Sequence, residues 1–207
     1  MPALIAQQPV LALSTGLIVA GVVVAIILIV GIALISMYNG LVRLRVTSKE
    51  SWSDIDTELQ RRHDLIPNLI STVKGYASHE KGLFEKVMEL RNQAVAARND
   101  DAEKRAGVES MLEGSVGKLI ATAEAYPDLK ANQNFMELQK ELSETETRIA
   151  RARRFYNANV RSFRTAVMTF PKNVIAGMFG FQSSEFSFFE ASAGDREAVK
   201  VDATDFS

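Results

Sequence analysis

From Gly16 to Ile35 the chain reads Gly-Leu-Ile-Val-Ala-Gly-Val-Val-Val-Ala-Ile-Ile-Leu-Ile-Val-Gly-Ile-Ala-Leu-Ile, without one charged or amide side chain. As a helix rising about 1.5 Å per residue, this run covers about 30 Å, the thickness of a bilayer's hydrocarbon core. A core helix in a small protein keeps a polar stripe, and this run has none. A secretory signal peptide carries a basic N-region, whereas residues 1–14 hold no Lys or Arg. The run is therefore expected to be an uncleaved, single-pass transmembrane anchor over residues 16–37. Residues 1–15 would form a short extracytoplasmic tail, and the rest of the chain a body tethered to the bilayer.

Every Lys, Arg, Asp and Glu lies from Arg43 onward. Arg43, Arg45 and Lys49 follow the anchor closely while the tail has no basic residue, so the positive-inside rule puts the N-terminus outside and the body in the cytoplasm. A net charge of −1 implies no nucleic-acid partner. The absence of Cys excludes disulfides and thiolate metal sites.

Beyond the anchor the apolar pattern narrows to stripes with steps of three and four. Trp52, Ile55, Leu59, Arg62, Ile66, Leu69, Val73 and Tyr76 form the first, continuing the anchor helix into the body. Pro67 removes one backbone hydrogen bond from it and predicts a kink near Arg62–His63. Gly75 and Ser78 weaken that helix and offer an N-cap for the next, whose stripe is Leu83, Val87, Leu90, Ala94 and Ala97. Asp100 and Glu103 have capping-box spacing ahead of Leu112, Val116, Leu119, Ala123 and Tyr126. Asn132 or Asn134 caps the last long helix, whose stripe runs from Phe135 through Leu142, Thr145, Ile149, Tyr156 and Phe163 to Ala166 and stops at Phe170-Pro171. No strand-like alternation of useful length occurs.

One unbroken helix over 41–98 would run about 87 Å with nothing long enough to cover it. A turn at Ser78 instead gives helices of about 58, 30, 39 and 58 Å over 39–77, 79–98, 101–126 and 131–169. The expected fold is all-α: the transmembrane helix, then an antiparallel up-down-up-down four-helix bundle within 38–190, its first and last helices long. In the matching register, residues numbered to a total of about 210 face each other. Arg62 then approaches Arg148, with Glu144 and Glu146 in reach. Residues 191–207, small and acidic, read as a disordered tail.

Tyr38-Asn39, Trp52-x-x-Ile55-Asp56, Arg61-x-x-Asp64-Leu-Ile-Pro67-Asn68-Leu69, Val73-Lys-Gly-Tyr-Ala77 and His79-Glu80 resemble the LemA family of bacterial membrane proteins. Tyr126-Pro127-x-Leu129-Lys-Ala131, Leu138-Gln139-x-x-Leu142, Glu146-x-x-Ile149-Ala150-x-Ala152-Arg153-x-Phe155-Tyr-Asn157 and Phe188-Phe189-Glu190 extend the likeness over residues 30–190. The resemblance implies an N-terminal anchor with a helical bundle, no established catalytic activity, and a role in membrane homeostasis. It also implies a neighbour: a membrane-bound heat-shock-type zinc metalloprotease, beside which members of the family are often encoded.

The residues themselves argue against an enzyme. His79-Glu80 lacks a second His four residues after the first, where Leu83 stands, and His63 is the only other histidine, so neither a metal site nor a cofactor is expected. No nucleophile elbow, P-loop or dinucleotide fingerprint is present. Asp64, Pro67 and Asn68 read as a helix kink, the two polar side chains serving the backbone groups that proline frees. Arg62 interrupts an apolar stripe and must be paired, either as a register-setting ion pair or as a polar switch. Arg161, Arg164 and Lys172 descend toward the inner leaflet and could meet anionic lipid. Of the aromatics beyond Pro171, Phe179 and Phe181 are expected around Trp52, and Phe188 and Phe189 against lipid or a partner. The leading function is a non-enzymatic membrane-tethered scaffold or adaptor whose partner is another membrane protein, a homo-oligomer remaining open. The alternative is a membrane-binding or membrane-shaping module acting on anionic lipid.

Overall fold

The computed structural model describes residues 8–77 and 79–190, with side chains from residue 16 onward. All of its regular structure is helical. The first helix, α1, runs from Gln8 to Lys74 and carries both the apolar run and the first stripe of the body. It therefore begins inside the segment expected to be a tail. Its most apolar 18-residue window has a mean hydropathy of 3.3, and none of that window is buried. In water so much bare hydrocarbon surface would be prohibitive; in length and composition the helix is sufficient to cross a membrane.

After Lys74 the chain turns, and α2 occupies Lys81–Ala96, so the long uncovered helix that the lengths excluded does not form. Glu80 rather than Ser78 stands at the N-cap of α2; Ser78 lies outside the described residues. α3 spans Ala102–Glu124 and is capped by Asp101, whose side chain accepts from the Lys104 N–H at 3.0 Å. The expected cap was Asp100, one residue earlier; its carboxylate instead pairs with the Lys104 ammonium. A single turn, α4 (Pro127–Lys130), leads to α5, Gln133–Met168, where Asn132 caps through Phe135 N–H.

One helix went unforeseen: α6, Lys172–Phe179, directly after the proline that ends α5. Its C-terminus closes on Gly180 at φ 74°, a left-handed conformation that glycine adopts without a Cβ penalty, and Phe181 N–H returns to the Ala176 carbonyl.

The core follows the stripes. One cluster joins Ile66, Leu69 and Val73 of α1 to α2, α3 and the start of α5; Phe84, Val87, Leu90 and Ala94 are its buried α2 residues, and Leu83 packs at its margin. A second unites Ile55 and Leu59 with Ile149, Tyr156, Val160 and Phe189. The third sits nearest the apolar run and gathers Leu41, Phe163, Ile175 and Phe181. Contacts between α1 and α5 step in opposite senses: Arg62 meets Glu146, Glu58 meets Arg148 and Trp52 meets Tyr156.

Candidate functional site

The seam of α3 extends backwards from Leu112 by the same steps of four and three, to Glu109, Ala106, Arg105 and Ala102, all buried. This phase carries Glu109 to Arg62 on α1. The two side chains, 3% and 1% exposed, form a salt bridge, and Arg62 Nη1 donates to Glu146 Oε1 of α5 at 2.8 Å. His63 Nε2, also buried, lies 3.0 Å from Glu109 Oε1. One guanidinium thus ties three helices together. Glu144, the other carboxylate expected within reach of either arginine, lies 3.9 Å from Arg148.

Burial by itself would raise the pKa of Glu109. The hydrogen bond to His63 and the charge of Arg62 outweigh it and hold the carboxyl below the ordinary glutamate value of 4.5. A carboxyl depressed in the folded state binds fewer protons there than when unfolded, so stability rises with pH between the two values. The Glu109 contribution should be complete above about pH 4.5 and disappear as pH falls through the folded value. Thermal unfolding of the full chain in detergent should show a gap between wild type and Glu109→Gln that narrows on acidification. A gap that stays constant down to about pH 3 contradicts the assignment.

Nearly two turns nearer the apolar run on α1, Asp56 accepts from Arg105 and Arg98, each at 2.6 Å. Burial raises the Asp56 pKa, but these two hydrogen bonds overcome it and the net shift is downward. The buried Arg105 guanidinium also stacks 5.3 Å from the centre of the Trp52 ring. Trp52 is half-buried and rests on Tyr156 and Phe189 at 5.1 and 5.7 Å between ring centres. Burial pushes the Tyr156 phenol up to about 12, and it donates to the Ser187 carbonyl.

Pro67 frees the carbonyl of His63, four residues back. The group that serves it is Arg91 of α2, whose Nε donates at 3.2 Å. The side chains expected there are elsewhere: Asp64 is exposed and accepts from Gln60, and the Asn68 side chain is exposed. α1 continues without interruption through Pro67, which a partner donor on the neighbouring helix permits.

The aromatic residues take other places than expected. Phe179 and Phe181 pack on Tyr38, at 4.8 and 5.9 Å, whereas Phe189, expected against lipid or a partner, is buried on Trp52. The cause is α6. It keeps residues 172–179 beside Tyr38, and the following strand of irregular chain climbs back along α5 to Trp52, where Asn157 accepts the Phe189 N–H. Phe188 is half-buried beneath Arg164, whose guanidinium lies 5.2 Å from its ring centre, so Arg164 is occupied by protein. Arg161 is exposed.

Residues 51–203 match the profile of the LemA family, about three quarters of the chain. The chain belongs to the LemA family. Among the relatives of this LemA-family protein, magnetosome protein MamQ 2 of Paramagnetospirillum magneticum is 25% identical over 190 residues, covering 80% of this chain and 70% of the relative. Magnetosome protein MamQ of Magnetospirillum gryphiswaldense is 24% identical over the same coverage. Protein LemA of Metamycoplasma hominis is 28% identical over 169 residues, covering 81% of this chain and 74% of its own. The Trp52, Asp56, Arg62, Pro67 and Arg105 constellations all fall inside the matched residues.

Proposed function

We propose that this protein is a non-enzymatic scaffold or adaptor, anchored by one pass in a bacterial inner membrane and presenting its helical body in the cytoplasm. The observation that carries the reading is the continuity of α1, in which a wholly exposed apolar segment and the seam of the body belong to one helix. Such a helix couples anchor and body without a flexible linker, as a platform for another membrane protein requires. The opposed contact order of α1 and α5 supports an antiparallel arrangement, with α2 and α3 completing an up-down-up-down bundle. Arg43, Arg45 and Lys49 support a cytoplasmic body. The ionisable groups at the bundle's centre are spent on one another in buried pairs, an arrangement suited to fixing a shape rather than to meeting a substrate.

The partner class is another membrane protein, and the family resemblance nominates a heat-shock-type membrane metalloprotease. Photo-crosslinking residues placed on the solvent faces of α2, α3 and α5 of the full chain, in intact membranes, should capture that protease from one face and not the others. Crosslinks confined to lipid and to second copies of the chain contradict the adaptor reading. In the same cells, protease added from outside should leave the body intact; its digestion would reverse the orientation and leave the fold untouched.

A further inference from the structure

Large apolar side chains exposed on the body are scattered singly, as at Val95, Met111, Met136 and Phe155, except at one end. There Met168, Phe170, Val174, Met178 and Phe179 crowd into twelve residues, with Phe170 78% and Met178 73% exposed. Val174 and Met178, four apart, share one face of α6, and the opposite face buries Ile175 and Ala176. Isolated exposed apolar residues are ordinary, whereas a contiguous patch marks an interaction site.

Two contacts set the level of this patch on α1. Phe179 rests on Tyr38, and Lys172 Nζ reaches Gly40, 4.0 Å from where a Cβ would stand. Tyr38 and Gly40 lie about 5–8 Å along the helix past Ile35, the depth of the headgroup layer beside the hydrocarbon core. Above α6 opens a cleft of about 540 Å³ between Leu44, the end of α5 and residues 170–172. Arg161 and Lys172 line it, and among the described residues neither has a carboxylate partner.

We propose that α6 is an interfacial foot. It stands on the leaflet from which α1 emerges, with Phe170, Val174 and Met178 inserted among the lipids and Arg161 and Lys172 holding anionic headgroup phosphates. The inference rests on the reading of α1 as an anchor. Lipid is the occupant because the patch continues the exposed surface of that helix at headgroup depth and carries the charge that an anionic leaflet attracts. A foot of this kind would fix the rotation and tilt of the bundle over the membrane.

The chain has no cysteine, so single cysteines can carry a nitroxide at Ile27, Met178 or Met111 of the full protein, reconstituted in phosphatidylcholine vesicles with or without a third of phosphatidylglycerol. Collision with oxygen relative to a water-soluble nickel complex should be several-fold higher at Met178→Cys than at Met111→Cys on α3, approaching Ile27→Cys in the anchor. Phosphatidylglycerol should deepen the Met178 label, and Arg161→Gln with Lys172→Gln should abolish that response. A Met178 label in water while the Ile27 label is in lipid overturns the foot and leaves the anchor standing; an Ile27 label in water overturns the anchor reading as well. Dipolar broadening at Met178 that vanishes on dilution with unlabelled protein assigns the patch to a second copy and overturns the proposal. A Met178 label insensitive to phosphatidylglycerol removes the phosphate-holding role from Arg161 and Lys172.

Discussion

Arg62→Ala is expected to destabilise the protein by about 3–5 kcal/mol, the range for removing one partner from a buried ion pair. In a chain of this size that corresponds to a fall of roughly 6–20 °C in Tm. The loss comes chiefly from Glu109. Glu146 is one-third exposed and can turn to water, but Glu109 is buried and, among the described residues, keeps only His63 at hydrogen-bonding distance. Arg62→Met, which refills much of the volume, is expected to recover little for the same reason. The double change Arg62→Met with Glu109→Leu removes both buried charges and should be far more stable than the sum of its single changes implies. The check is denaturant or thermal unfolding of the full chain in detergent. Strict additivity would mean that Arg62 and Glu109 do not act as a unit.

The history of this cluster shows what a linear pattern conveys. Arg62 was legible because it falls in phase between Leu59 and Ile66, and because an interior guanidinium requires a carboxylate. The register expected from helix lengths put Arg62 near Arg148 with Glu144 and Glu146 both in reach, and it did not choose between the two carboxylates; Arg62 meets Glu146. Glu109 and Arg105 obey the same three-four spacing as Leu112, Val116 and Leu119, but charges at seam positions look like the solvated face of a helix until a neighbour encloses them. Which side of α1 receives α3 is a matter of lateral packing, and no periodicity within one helix encodes it. His63 and Arg91 were invisible for a related reason: their roles depend on a third helix and on a carbonyl freed by Pro67. The eight-residue α6 was missed because two turns give too little repetition to establish a period, and Pro171 reads equally well as a stop or as the start of a helix.

That helix changes what the C-terminal aromatics do, and the second large effect follows from it. Phe189→Ser should cost about 3–5 kcal/mol, as truncation of a fully buried aromatic does. Phe188→Ser should cost about 1–2 kcal/mol, because its ring is half-buried and held mainly beneath Arg164. Phe189 is 2% exposed; its ring meets Trp52 and the Arg153 guanidinium, and its backbone is held at both ends by the Asn157 amide. Trp52 is the single tryptophan of the chain, so its emission reports this contact without ambiguity. Phe189→Ser should shift that emission to the red and open the 180–190 segment to protease, while Phe188→Ser should do neither. The order of effects matters for function. If Phe189 pins residues 180–190 to α1 and α5, the chain that follows α6 is closed at its far end, and a foot on the membrane can bear on the bundle. Equal, small effects of the two serines would leave 180–190 loosely held, and α6 would then lack the mechanical connection that makes it a brace.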